Sequence, residues 1–317
     1  MDEFQTILKA FLPVLTVGAL GFISRRKSWL KPEADKSILA VLLNVLVPCL
    51  IFDAVLGNKA LQEPSNIFLA PIVGFVTVVF GILVARLVAP LAGIKDKKEK
   101  GTFAFSAGIY NWGYVPIPLT LLLFGDETLG VLIVHNVGVE IAFWTIGLMA
   151  LTGTKLKDGW KRVINPPAIA IVITLILNTA GADAWMPDFV KGTATMLGQC
   201  AIPLGIILIG ATFADEIGEF HADLRPRVMT AACILRLGAV PFVFLLIAKY
   251  LPCSDELKRV IVVQSAMPAA TFPIIIAKHY GGHINTTLRV IISTTLVSFI
   301  TIPLWLPFGL KFVGLSD

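Results

Sequence analysis

Charge is what this sequence has least of. Asp, Glu, Lys and Arg make up 15% of the 317 residues, against about 25% in soluble domains. No polar stretch is long enough to fold as a separate soluble domain. The period-two alternation of an outer-membrane barrel strand is also missing. Four cysteines, without a CxxC pair or ligand-like spacing, exclude a disulfide framework and a zinc site. Cys49, Cys200 and Cys233 fall in apolar segments and Cys253 in a polar turn, so they read as small apolar core residues. No Walker loop, HExxH or nucleophile elbow is present, so nothing points to ATP drive, hydrolysis or a cofactor. His279 and His283 stand four residues apart beside Gly281-Gly282, with no acidic or cysteine partner nearby. They read as loop residues.

What remains is apolar. The hydrophobic fraction is 56% and the mean hydropathy +0.83, arranged as runs of about 20 residues, the length that crosses about 30 Å of hydrocarbon as a helix. The chain is an all-α integral membrane protein by this reading. Ten spans are expected, near 4–24, 37–57, 66–90, 101–123, 127–152, 163–182, 190–213, 226–250, 258–279 and 286–310. Asp2 and Glu3 precede the first span and Arg25, Arg26 and Lys27 follow it. That order is opposite to a signal peptide's, so it reads as an uncleaved helix.

The net charge of +5 is no nucleic-acid signal, because the basic residues sit in short loops. Seventeen Lys and Arg fall on one side of the ten spans, including Lys155, Lys157, Lys161 and Arg162 in the fifth loop; seven fall on the other. Cytoplasmic loops collect Lys and Arg. Both termini are therefore expected on the non-cytoplasmic side of the cell (inner) membrane. Trp29, Trp160, Trp185 and Trp305 near span ends fit interfacial anchoring.

Two spans are built from the wrong residues for an unbroken helix. Ser106–Pro118 reads SAGIYNWGYVPIP, and a second stretch reads SAMPAATFPIII from Ser265. Glycine loosens the backbone, and proline in a helix interior removes a donor at a cost of about 3 kcal/mol. Broken backbone at membrane depth is tolerated where it is buried in protein or lines a cavity. The two stretches also belong to a repeat. TLGVLI from Thr128 returns as TLRVII from Thr287, and Ser106-Ala107 as Ser265-Ala266, both 159 residues on. Pro48 and Asn44 match Pro203 and Gln199 at 155, and Pro13 matches Pro167 at 154. Two five-helix units follow, near residues 1–157 and 158–317. Since five is odd, the second crosses the bilayer in the opposite sense. Inverted repeats of this kind place a binding site where their broken helices cross.

The substrate-binding candidates are Asn111, Gly113, Tyr114 and Pro116 from one break and Gln264, Ser265, Pro268 and Thr271 from the other. Half-helix N-termini suit a carboxylate, and half-helix C-termini a cation or proton carrier. The alternative is that the prolines are kinks and the amides tie helices together. Ionisable residues inside spans need a reason to be there. Arg236 is a candidate anion partner, or an ion-pair partner of Glu140 or Asp53. His135 and Glu140 are proton-relay candidates or buried helix–helix hydrogen bonds. Asp53 is a coupling candidate or merely interfacial, and Arg86 can snorkel to a span end.

NWGYVPIP in the fourth span, LLNVLVPCLIF in the second, AIPLGIILIGATF in the seventh, Arg236-Leu237 with Pro241 in the eighth and SAMPAATFPII in the ninth together resemble the auxin efflux carrier family. The resemblance implies ten helices in the fold of sodium/proton antiporters and bile-acid symporters. Helices 4 and 9 cross, with a panel domain of helices 1, 2, 6 and 7 and a crossover domain of 3–5 and 8–10. It implies elevator-type alternating access for a small organic anion, such as a dicarboxylate or an auxin-like acid, with H+ or Na+ as possible partners and a homodimer through the panel domain. The long hydrophilic loop of many plant members is missing, which points to a short bacterial-type carrier. The second break has no central asparagine, so the two halves need not bind alike. Two other readings stand beside this one: a sodium-coupled symporter of the bile-acid type, and a membrane-embedded sensor or enzyme.

Overall fold

Proline decides where the helices start. The computed structural model describes residues 2–153, 162–220 and 224–315, and all regular structure among them is helical. Six helices open with proline in the first turn, at Pro32, Pro64, Pro116, Pro166, Pro226 and Pro273. A missing N–H costs nothing there, and the fixed φ suits the helix. Four side chains cap helix starts, one of them the start at Pro166. Asp96 accepts from Glu99 N, Asn165 from Ala168 N, Ser254 from Leu257 N and His283 from Thr286 N, each satisfying an orphan donor of a first turn.

The helices are α1 (Asp2–Arg26), α2 (Pro32–Val55), α3 (Pro64–Val88), α4 (Lys97–Gly108) and α5 (Pro116–Thr152). They continue as α6 (Pro166–Thr179), α7 (Asp188–Phe220), α8 (Pro226–Tyr250), α9 (Asp255–Ala266), α10 (Pro273–His279) and α11 (Ile284–Val313). Among the described residues six are long and apolar enough to cross a membrane: α2, α3, α5, α7, α8 and α11. Three of the four expected spans missing from these six have a local cause. The fourth and ninth spans are each in two pieces, and α6 has only 14 residues. The fourth and fifth also merge into α5, bent where Gly125 takes φ 77°, a left-handed conformation open to glycine.

The breaks differ in extent from the sequence expectation. Ser106–Gly108 remain helical, and Pro116 and Pro118 open α5 rather than interrupt a helix. The non-helical stretch is therefore 109–115, and its counterpart is 267–272.

Two internal prolines, Pro48 and Pro241, follow π turns at Leu42–Leu46 and Leu235–Ala239. The carbonyl four residues before Pro241 belongs to Leu237, and it accepts from the Trp305 indole at 2.6 Å. Trp305 is half-buried, while Trp29 and Trp185 are exposed. Trp160, Lys155, Lys157, Lys161 and the 157/158 repeat boundary lie outside the described residues.

In packing, α1 lies along α7, and α2 against α6 and α7. On the other side α3 packs on α4 and α5, α9 on α5 and α8, and α11 on α4, α8 and α9. Small residues permit the closest approaches, as in membrane bundles generally. A Cβ on Gly81 of α3 would strike the Gly108 carbonyl that ends α4. Two buried charges, Arg25 and Glu99, are paired. Arg25, expected only to mark a loop, joins Asp35 of α2 at 2.5 Å and Asp215 of α7 at 3.1 Å. Arg225 holds Glu99 at 2.8 Å. The cysteines are not core residues: Cys49, Cys233 and Cys253 are half-buried, and Cys200 is exposed on the outward face of α7.

Candidate substrate site at the paired breaks

Backbone that leaves a helix inside an apolar interior must find partners. Here the two breaks supply each other's. Asn111 N donates to Pro268 O at 2.8 Å, and Ala270 N donates to Ile109 O at 3.0 Å. Between these bonds Tyr110 and Ala269 form an isolated antiparallel bridge. Ala269 N turns the other way, to Thr294 Oγ1 of α11 at 3.2 Å. Tyr110 is buried, its hydroxyl 3.0 Å from Thr77 Oγ1 of α3.

Side-chain amides complete the frame. Asn111 Oδ1 accepts from Gly113 N at 3.3 Å, a local turn that leaves the Asn111 NH2 group free to donate elsewhere. Asn136 of α5 is the hub: its Nδ2 donates to Trp112 O at 2.7 Å, and its Oδ1 accepts from Gln264 Nε2 at 3.1 Å. One amide therefore holds the first break and the last turn of α9 together. Gln264 Oε1, in contrast, is buried without a partner.

The breaks form one wall of a cavity of about 290 Å³, with α2, the start of α6, and α7 opposite. That is near the lower end of ligand pockets, about 300–1,000 Å³. Of the expected site residues, Asn111, Gly113, Tyr114, Thr271 and Glu140 line it. Trp112, Phe143, Trp144 and Phe272 give it aromatic walls. Glu140 lies one helical turn beyond Asn136, and its Oε2 accepts from Asn165 Nδ2 at 3.1 Å. Arg162 lines the same cavity and stacks on Trp144 and Tyr280, with its guanidinium carbon 5.7 and 5.1 Å from the ring centroids.

The other expected residues stand outside the lining. Gln264 reaches it only through Asn136. Pro116 is buried in the first turn of α5, and Pro268 offers its carbonyl to Asn111. Ser265 donates to Val262 O. His135 is buried, with Nδ1 3.4 Å from Asn136 Oδ1. Asp53 is exposed and accepts from the Thr195 hydroxyl.

Arg236 makes neither ion pair the sequence offered for it, since Glu140 is engaged by Asn165 and Asp53 by Thr195. It lies fully buried between Tyr110 and Phe244, 5.3 Å from each ring centroid, with Nη2 3.4 Å from Ser265 O. A cation there faces the negative end of α9 and two aromatic faces, which stabilise it in place of a carboxylate.

Sequence reasoning missed Asn136, Arg162 and Asn165. Asn136 was open to discovery, because an amide four residues before Glu140 shares its helix face. Arg162 and Asn165 carried no such signal, since only the fold brings the start of α6 against α5.

An all-helical chain with several membrane-crossing helices, and an interior cavity walled by two broken helices, belongs to the class of multi-pass membrane transporters. A family model described as membrane transport protein matches residues 6–159 and 154–306. The chain belongs to this family, the auxin efflux carriers. It is 27% identical over 311 residues to an uncharacterized transporter of Methanothermobacter thermautotrophicus, covering 96% of this chain and 98% of the relative. An uncharacterized transporter of Methanocaldococcus jannaschii is 24% identical over 302 residues, 93% of this chain and 96% of its own. Auxin efflux carrier component 8 of Arabidopsis thaliana is 21% identical over 336 residues, covering 89% and 91%.

Proposed function

We propose that the protein is a secondary transporter of a small organic anion, working by elevator-type alternating access. The observation that carries this reading is the cavity itself. It brings the free amide of Asn111 and the Thr271 hydroxyl together with one guanidinium, Arg162, inside otherwise apolar and aromatic walls. The carboxylate takes hydrogen bonds from Asn111 and Thr271 and charge from Arg162, while the apolar body lies on Trp112 and Phe272. With one guanidinium in the lining among the described residues, a second substrate carboxylate would have no described cation to pair with, at several kcal/mol. The preferred substrate is therefore a monocarboxylate with an apolar body. One relative is named an auxin efflux carrier, which agrees with an organic acid as cargo.

The remaining parts of the reading have their own support. Ten spans in two inverted five-helix repeats agree with the sequence repeats and with the mutual hydrogen bonding of the breaks. A panel of α1, α2, α6 and α7 and a moving body of the other helices agree with how the helices pack. Pro116, Gln264, Ser265 and Pro268 shape the site, and Arg236 adds its field from behind. Both termini lie on the non-cytoplasmic side, in the inner membrane, and two copies pair through the panel.

The test is uptake of labelled monocarboxylates by proteoliposomes. Asn111→Ala is expected to reduce uptake at least tenfold, about the worth of one charge-assisted hydrogen bond, with the elution profile of the protein unchanged. Full uptake by that variant sinks the site, and no uptake of any carboxylate by wild type sinks the function. Replacing sodium with potassium in the same vesicles asks whether sodium drives the cycle; unchanged uptake counts against a sodium symporter.

A further inference from the structure

The carboxylate of Glu140 faces the cavity in which an anion is to bind. We infer that Glu140 takes up one proton when the substrate carboxylate enters, so that anion and proton cross the membrane together. This rests on the reading of the cavity as a carboxylate site, and it concerns how that site is coupled.

Among the described residues the lining holds one cation, Arg162, one carboxylate, Glu140, and a single further titratable side chain, the Tyr114 phenol. Arg162 and Glu140 make no ion pair with each other or with any other described residue. The faces opposite Glu140 add no charge: α2 contributes Leu39, Leu43 and Val47, and α7 contributes Ala201 and Ile202. On its own helix His135 turns to the buried side, against Asn136.

The charge count of the cavity then decides between two loaded states. Empty, with Glu140 ionised, the described lining is neutral. An entering monocarboxylate makes it −1, in an interior that disfavours net charge. One proton on Glu140 restores neutrality. The empty and the loaded carrier are then both uncharged at the site, as a body that must move through the membrane requires.

The hydrogen bonds suit both forms of Glu140. Asn165 Oδ1 is committed to Ala168 N at 2.9 Å, so its amide presents NH2 to Glu140 Oε2. An NH2 donor serves an ionised carboxylate and the carbonyl oxygen of a neutral acid alike. Among the described residues Oε1 has no hydrogen-bond partner. The proton, taken from water, goes to Oε1, and the new O–H can donate to the substrate carboxylate. No bond other than O–H is made or broken. Release of the substrate removes that acceptor, and the proton leaves with it.

The experiment uses the full chain in detergent, with phenylacetate as the probe. Calorimetric titration in two buffers of different ionisation enthalpy counts protons per phenylacetate bound. Wild type is expected to take up one proton near neutral pH, and Glu140→Gln none. Wild-type affinity should fall roughly tenfold per pH unit once Glu140 ionises in the free protein, while that of Glu140→Gln stays flat. Phenylacetate binding to wild type without proton uptake overturns the inference and leaves the proposed function standing. Equal uptake in Glu140→Gln also overturns it, since the proton would then sit on the ligand. No binding of phenylacetate or any other carboxylate to wild type overturns the proposed function, and the inference falls with it. Should Glu140→Gln not fold, Glu140→Ala takes its place in the same titration, with the same outcomes deciding.

Discussion

Replacing Asn136 with alanine tests whether the paired breaks are held by one amide. The substitution deletes a donor to Trp112 O and an acceptor for Gln264 Nε2. The two losses are unequal. Trp112 borders the cavity, where water can replace the lost donor, so only the net worth of a hydrogen bond is forfeited, about 0.5–1.5 kcal/mol. Gln264 is 1% exposed and its Oε1 already lacks a partner. Its stranded NH2 should cost about 1–3 kcal/mol. Together the loss is about 1.5–4.5 kcal/mol, which at about 2–4 °C per kcal/mol lowers the apparent melting temperature by roughly 3–18 °C. The assay is the monodisperse fraction remaining after timed heating in detergent, at a fixed heating rate because the transition is irreversible. Gln264→Leu supplies the control: with the amide gone, Asn136→Ala should cost less, by at least about 1 kcal/mol. An apparent melting temperature within about 1 °C of wild type, or strictly additive losses, would refute the hub.

Two further outcomes follow from close contacts elsewhere. A Cβ on Gly205 of α7 would overlap the Tyr114 ring, and that ring can swing at the cost of its place in the cavity. Gly205→Ala is therefore expected to raise the KM for uptake several-fold with little change in melting temperature; an unaltered KM would mean that Tyr114 does not shape the site. Trp305→Phe strands the Leu237 carbonyl freed by Pro241 and should destabilise by about 1–3 kcal/mol. Adding Pro241→Ala restores a backbone N–H in reach of that carbonyl. The double variant should melt above Trp305→Phe alone, and failure to do so would refute this role for Trp305.

The class of molecule, and the place where its helices give way, were written in one dimension. Apolar runs of membrane length need no partner to declare themselves, because hydrophobic transfer depends on composition. The weak points Gly113 and Pro268 were equally plain, since proline and glycine act on the backbone of their own segment. Even so, the break was expected to run across all of SAGIYNWGYVPIP, its prolines included. Pro116 and Pro118 instead begin a new helix, and only the course of the chain shows on which side of a proline the break falls.

What the sequence could not supply is which way each side chain faces and what stands across from it. Periodicity gives a residue's height along a helix and its neighbours on the same face, and so could have joined Asn136 to Glu140. It does not say that Gln264 stands behind Asn136, away from the cavity, or that Arg162 and Asn165 come over from the start of α6. Nor does it say that Arg236 rests against Tyr110, Phe244 and the end of α9 without a carboxylate partner. Hydrogen bonds and ion pairs act over about 3–4 Å, and at that range partners are chosen by packing between helices far apart in the chain. The sequence by itself determined a membrane-embedded helical carrier with two matched breaks. The tertiary structure decided that the breaks bond to each other, that Asn136 ties them together, and that Arg162 and Glu140 share one cavity.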